Sequence, residues 1–249
     1  HAALRRMART SGSLLALALL LPQGRGFHFA DPTERIVHAF DDALPKTLVT
    51  ELFREAKAAH DWEAKTRPAH LRDSKASTNW MPIENFDSPR SFAEVAITYL
   101  HKMAFPDDSP WSGGGPDGKE PTQLAGAEWW VQLRNPKENI GFHYDKDEGV
   151  ASEEQWMKMP TMSSVFYLTD AGAPTLVLNK TTNRGGNQHL PVVPHKGYFS
   201  YPRKNRYFMF KGDLGHGVVG TLGSKKKRGK PEQRLTFLVN WWDKMPMEP

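Results

Sequence analysis

Ser163-Ser164-Val165-Phe166-Tyr167-Leu168-Thr169-Asp170, then Ala171-Gly172-Ala173-Pro174, then Thr175-Leu176-Val177-Leu178, reads as a strand, a turn and a second strand. The two outer runs are rich in β-branched and aromatic residues, and Gly and Pro break the chain between them. The same texture extends both ways. Upstream it covers 127–133 and 141–145; downstream it covers 197–201, 207–210 and 234–241. Before Gly126 the spacing turns helical. Leu48, Leu52, Ala56 and Ala59 make one stripe over 45–60, widened by Val49 and Phe53. A second helix is expected over 92–105, opened by Ser91 and Glu94 as a capping box, with Phe92, Val95, Ala96, Tyr99, Leu100 and Met103 on its apolar face. Helices followed by a run of short strands imply an α+β domain whose strands form a sandwich or barrel. No internal repeat is visible.

Length and composition set outer limits. The chain has 249 residues, enough for one double-layer domain with a sizeable core or for two small ones. Cysteine is absent, which removes disulfide frameworks, cysteine–zinc sites and thiol nucleophiles together. The net charge of +5 is concentrated in two places. Arg5, Arg6, Arg9 and Arg25 lie in residues 1–26 with no acid, and Lys225, Lys226, Lys227, Arg228 and Lys230 form one short run. The rest of the body is mildly acidic, so a broad nucleic-acid-binding face is not expected. The basic run reads as a solvated turn.

Residues 1–26 read as a signal or transit peptide, with 27–249 as a single domain. Met7 and Arg9 precede an unbroken apolar run from Leu14 to Leu21, which Pro22, Gln23 and Gly24 end. That run is too short to span a bilayer of roughly 30 Å. The expectation is the secretory pathway (ER or extracellular), with organellar targeting as the rival. Asn179-Lys180-Thr181 matches a glycosylation sequon. The Gly- and Pro-rich stretch 106–121 spaces Gly113, Gly118 and Lys119 like a phosphate loop. It has Glu120 and Pro121 where a hydroxyl residue and a helix are needed, so it reads as a connector or lid. There is no Gly-x-Ser-x-Gly elbow and no His-Glu-x-x-His, which leaves a hydrolase unsupported.

His143-Tyr144-Asp145 falls in a strand-like run. On a strand His143 and Asp145 share a face while Tyr144 points away, so two ligands grip one ion. A second imidazole would complete the facial triad of non-haem iron, which leaves coordination positions open. The tripeptide alone is also what a surface turn continuing through Asp147 and Glu148 would show. His189 and His195 are rival ligands, set among Leu190, Pro191, Val192, Val193 and Pro194; His28, His38, His60, His70 and His101 have no matching partner. Downstream, Tyr207-Phe208-Met209-Phe210 runs into Lys211-Gly212-Asp213, and His216-Gly217-Val218 follows at once. Arg234 and Thr236 share one face of the last expected strand. Trp129-Trp130 and Trp241-Trp242 should each place one ring inward and one outward.

This order of motifs over about 125–242 resembles the Fe(II)- and 2-oxoglutarate-dependent oxygenases, and within them the prolyl 4-hydroxylase-like branch. The resemblance implies a double-stranded β-helix (a jelly-roll or cupin-like barrel, 125–242) buttressed by N-terminal helices (27–105). It implies iron ligands at His143, Asp145 and His216, a 2-oxoglutarate anchor at Arg234, and Thr236 as a hydroxyl helper. It implies O₂-dependent hydroxylation of a C–H bond with release of succinate and CO₂, with ascorbate as an accessory reductant. The substrate would be a peptide or protein, prolyl or otherwise, or a small molecule; neither nucleic acid nor a stable membrane span is expected. Asp145 sits where the related halogenases lack a carboxylate. Two departures stand out. Arg234 replaces the lysine usual in collagen-type prolyl hydroxylases, and Arg134 stands where the family often has a tyrosine contact. The nucleic-acid demethylases of this fold carry a second arginine six residues past the first, where this chain has Asn240. The alternative from another class is a non-catalytic β-barrel that binds a ligand or metal without turnover.

Overall fold

The computed structural model describes residues 26–27, 37–66, 78–106, 123–154, 156–182, 193–223 and 232–247. In chain order the elements are β1 (Gly26–Phe27), β2 (Val37–Phe40), α1 (Lys46–Thr66), β3 (Asn79–Pro82), α2 (Phe92–Ala104), β4 (Gly126–Arg134) and β5 (Ile140–His143). They continue with a short α3 (Glu148–Glu153), β6 (Met162–Tyr167), β7 (Thr175–Leu178), β8 (Gly197–Ser200), β9 (Arg206–Lys211), β10 (His216–Val218) and β11 (Arg234–Trp242). Residues 1–25, the basic run, His28, His70, His189 and nearly all of the 106–121 stretch lie outside the described residues. Gly26, the last residue assigned to the leader, pairs with Phe40 in β1–β2.

The two expected helices form, and α1 runs nearly two turns further than its apolar stripe. At the start of α2, Ser91 is extended (φ −146°) and its hydroxyl accepts the Glu94 N–H at 3.1 Å. The Glu94 carboxylate accepts from Arg90 N–H rather than from Ser91. Glu55 of α1 accepts the Phe92 N–H at 2.8 Å, so one helix satisfies an orphan donor of the other.

The strands form two antiparallel sheets, a seven-stranded one in the order β1-β2-β9-β6-β11-β4-β3 and a four-stranded one in the order β5-β10-β7-β8. From β4 onward the chain crosses repeatedly between them. β4, β6, β9 and β11 belong to the large sheet, and β5, β7, β8 and β10 to the small one. Strands β1, β2 and β3 were not legible in the sequence; they are two to four residues long and extend the large sheet at its edges.

Strand alternation sorts the large sheet into two faces. On one, Phe166, Tyr207, Met209, Leu235, Phe237, Val239 and Trp241 pack with Leu48, Leu52, Ala96, Ile97 and Leu100 of α1 and α2. On the other, Val165, Tyr167, Phe208 and Phe210 pack with Val177 of the small sheet and with Leu214. Both faces are therefore covered. This corrects the expectation that one ring of Trp241-Trp242 would point outward: both are buried, because an interior lies on each side. The sequon asparagine is also interior. Asn179 is buried, and its Oδ1 accepts from the N–H groups of His195 and Lys196. The His195 ring contacts the Asn179 amide, so this rival ligand is spent on a loop. Among the described residues, no helix is long and apolar enough to cross a membrane.

Candidate metal centre

β10 lies between β5 and β7, and its register sets His216 directly opposite His143. The two imidazole centroids are 4.4 Å apart. Asp145 completes the group: its Oδ1 lies 3.8 Å from His143 Nε2 and 3.6 Å from His216 Nε2. These three residues are the one cluster of metal-binding type among the described residues, with ligand atoms all within 4.8 Å of one another. The expected strand over 141–145 needs correction. β5 ends at His143, and Asp145 stands in the irregular stretch beyond it. What aims the carboxylate is a hydrogen bond and not strand alternation: the Ser163 hydroxyl donates to Asp145 Oδ2 at 2.8 Å. Tyr144 does point away, with its hydroxyl donating to the Thr181 carbonyl at 2.9 Å and its ring packing near Gly215, on the approach to His216.

Both imidazoles are held in the tautomer that a metal needs. His143 Nδ1 lies 2.8 Å from the Gly141 carbonyl and His216 Nδ1 lies 3.1 Å from the Leu214 carbonyl. A carbonyl only accepts, so each Nδ1 carries a proton, and each Nε2, on the Asp145 side, is the nitrogen that a metal would take. Burial alone would raise the Asp145 pKa, but His216, His143 and the Ser163 hydroxyl outweigh it and hold the carboxyl far below its usual range. Burial likewise pulls His216 down, and Asp145 more than restores it, for a net rise. His216 is buried against the Phe210 ring at 4.8 Å, whereas the His143 side chain is 44% exposed. The cluster therefore has one dry wall and one open side.

β6 links this cluster to the second predicted group. Ser163, Val165 and Tyr167 share a face of β6, so the strand touches Asp145 at one end and Arg234 at the other. Arg234 is 3% exposed. Its Nη2 donates to Thr175 Oγ1 at 3.0 Å, its Nη1 reaches Thr236 Oγ1 at 3.5 Å, and its Cζ lies 5.5 Å from the centre of the Tyr167 ring. Tyr167 Oη lies 2.9 Å from Thr175 Oγ1 and 3.0 Å from the Ser200 carbonyl. Because the carbonyl only accepts, the Tyr167 proton goes to Ser200, the Thr175 proton goes to Tyr167, and the Thr175 lone pairs are left for Arg234. Arg234 Nε has no partner, and the guanidinium forms no ion pair with any described residue. Burial lowers its pKa, against Tyr167, which raises it.

The sequence reading did not single out Ser163, Thr175, Tyr167 or Gly172 as site residues. Period-two spacing from Ser163 to Tyr167 was the available signal for two of them. Gly172 has φ +111°, and a Cβ there would fall 2.6 Å from Arg234 Cβ, so this turn lies directly on the arginine stem. Arg134, at the family's tyrosine position, pairs with Arg234 across β4–β11 and spends its charge on Glu138 at 2.6 Å.

No family model matches the sequence, and no curated protein matches it either. Solved structures do match in three dimensions. A prolyl 4-hydroxylase from Pseudomonas putida superposes with a TM-score of 0.50 at 15% identity, over 84% of this chain and 89% of that one. The chain shares the fold of that prolyl 4-hydroxylase. Two weaker matches are a prolyl hydroxylase from Trichoplax adhaerens in complex with a hypoxia inducible factor peptide fragment and AviO1 from Streptomyces viridochromogenes. Their TM-scores are 0.48 and 0.44 at 14% and 12% identity, covering 85% and 86% of this chain and 85% and 91% of those. On the prolyl 4-hydroxylase fold, this chain carries its His-Asp-His cluster and its buried arginine between the two sheets.

Proposed function

We propose that this chain is an Fe(II)- and 2-oxoglutarate-dependent oxygenase on a double-stranded β-helix, hydroxylating a C–H bond of its substrate and releasing succinate and CO₂. The alternation of β4 to β11 between the sheets supports the β-helix reading. The observation that carries the function is Arg234. Burying an unpaired cation costs several kcal/mol, and a guanidinium stays charged. Such a group is retained for an anion, and its planar fork matches a carboxylate. The donor set of the cluster also fits ferrous iron: two imidazoles and one carboxylate, with room for further ligands on the His143 side.

His143 Nε2, Asp145 Oδ1 and His216 Nε2 would hold the iron, and Arg234, assisted by Thr236, would hold the distal carboxylate of 2-oxoglutarate. When bound, the pair supplies oxidation of an unactivated C–H bond by O₂, coupled to decarboxylation of the oxo-acid. The chain's own residues set the conditions. The Gly141 and Leu214 carbonyls fix the imidazole protons on Nδ1. The Ser163 hydroxyl occupies one Asp145 oxygen and leaves the other for the metal. Tyr167 and Thr175 orient the guanidinium, while Val165, Val177, Phe210 and Leu214 keep water from the wall between the two groups. Substrate approaches from β5, where His143 and Phe142 are exposed. A peptidyl side chain is the first candidate, prolyl in keeping with the Pseudomonas protein, and a free small molecule is the second. The apolar run before Pro22 supports delivery to the secretory pathway.

The test is to load the purified chain with Fe(II), ascorbate and 2-oxoglutarate and to measure succinate. Turnover is expected in the wild type and is expected to be lost in His143→Ala and His216→Ala with the thermal midpoint preserved. A wild type that binds metal and 2-oxoglutarate but never forms succinate, with or without peptide, would instead be a binding barrel.

A further inference from the structure

On the far edge of the two sheets from β5, a cavity of about 560 Å³ opens between β2 and β8. Val37, Ala39 and Phe208 form one wall and Tyr198 the other, with Arg203 among the residues at its polar end. Its size and apolar walls are those of a small-molecule site. None of its residues belongs to the metal centre or touches Arg234 directly.

Among the described residues, the charges at the polar end do not balance. Asp41 is engaged by Arg206 through both of its oxygens, Nε to Oδ1 at 2.6 Å and Nη2 to Oδ2 at 3.0 Å. Arg206 spends its remaining nitrogen on the Tyr201 carbonyl at 3.1 Å. One carboxylate is thus matched by one guanidinium, and it holds the Asp41 carboxyl below its usual range. Arg203 adds a second guanidinium that shares Asp41 Oδ2 through Nη1 alone, at 2.6 Å. The Arg203 side chain is 53% exposed, and its other N–H donors have no protein acceptor among the described residues. Apolar walls ending at a surplus, half-exposed fork call for a ligand with an apolar body and a carboxylate head.

We propose that this cavity is a second binding site, distinct from the metal centre, for a small amphipathic carboxylate whose head pairs with Arg203 and whose tail lies between β2 and β8. Arg206 and Asp41 act as a neutral base that holds the site's end in place. Tyr198 and Phe208 set how long a tail is accepted.

The experiment is isothermal titration of the full chain, free of added metal, with octanoate, octanol and acetate as probes. Octanoate is expected to bind with one-to-one stoichiometry. Octanol, which lacks the head, and acetate, which lacks the tail, are each expected to bind about tenfold more weakly or worse. Arg203→Gln leaves the Arg206–Asp41 pair intact and is expected to bring octanoate down to the affinity of octanol. Ala39→Leu, which narrows the cavity, is expected to weaken both. Equal binding of octanoate and octanol, octanoate binding that is indifferent to Arg203→Gln, or no binding by any probe would overturn the proposal.

Discussion

The two faces of the large sheet are built by the same strands and do different work. Toward α1 and α2 the strands present Phe166, Tyr207, Met209, Leu235, Phe237, Val239 and Trp241, all buried, and the strands' own polar side-chain atoms there are paired, as Trp241 Nε1 is with Tyr207 Oη at 3.1 Å. Toward the small sheet the same strands present Ser163, Tyr167, Arg234, Thr236 and Asn240. There Arg234 Nε and Asn240 Oδ1 are buried without partners. An interior face that leaves polar atoms unsatisfied gives up stability. The difference teaches that a single β-strand carries stability and chemistry at once by alternating them, residue by residue.

If that division holds, truncations on the two faces have opposite signatures. Phe237→Ala on the helix face removes a fully buried ring and is expected to cost about 3–5 kcal/mol in denaturant unfolding, with 2-oxoglutarate affinity unchanged in whatever fraction stays folded. Gly172→Ala bears on the other face. A Cβ there meets the Arg234 stem on a left-handed backbone, so a loss of about 1–3 kcal/mol is expected, together with weaker oxo-acid binding. A stability loss without a change in binding would show that Gly172 does not position Arg234.

A smaller effect is expected at Asp41. The hydrogen bond from Arg206 lowers its folded pKa, so its contribution to stability is complete above the ordinary carboxylate value of about 4 and fades as pH falls through the lower folded value. Asp41→Asn should flatten the acid limb of a plot of unfolding free energy against pH and leave the neutral region nearly parallel to wild type. The smallest effect on stability is expected where the ligand effect is greatest. Arg234→Met keeps much of the stem's volume and removes a buried charge with no counter-ion, so the metal-free protein should unfold at the same midpoint or higher. A large loss of stability there would mean that Arg234 is structural, and the contrast between the faces would fail.

Much of this arrangement was legible in the sequence because it depends on order and period. The spacing of Leu48, Leu52 and Ala56 gives α1, and Thr175-Leu176-Val177-Leu178 gives β7 to the residue. The residues of the candidate site were legible as types in sequence order, from His143 and Asp145 to His216 and Arg234. What remained hidden depends on distant pairing. β2 and β3 are four residues each and hold their shape through β9 and β4, so no local pattern marks them. Asp145 leaves the strand and is aimed by Ser163, eighteen residues on, a residue too common in turns and strands to signal a role. Thr175 and Tyr167 meet only because the two sheets face each other. The cavity between β2 and β8 is likewise a product of the closure of the sheets, with walls drawn from separate parts of the chain.

The most direct test of the central claim is an anaerobic equilibrium titration of 2-oxoglutarate into the metal-free protein with and without Fe(II). The expectation is binding that tightens strongly once metal is present and that is lost in both His216→Ala and Arg234→Met, since the oxo-acid must be held at both ends. Binding that ignores the metal, or that survives in Arg234→Met, would contradict it.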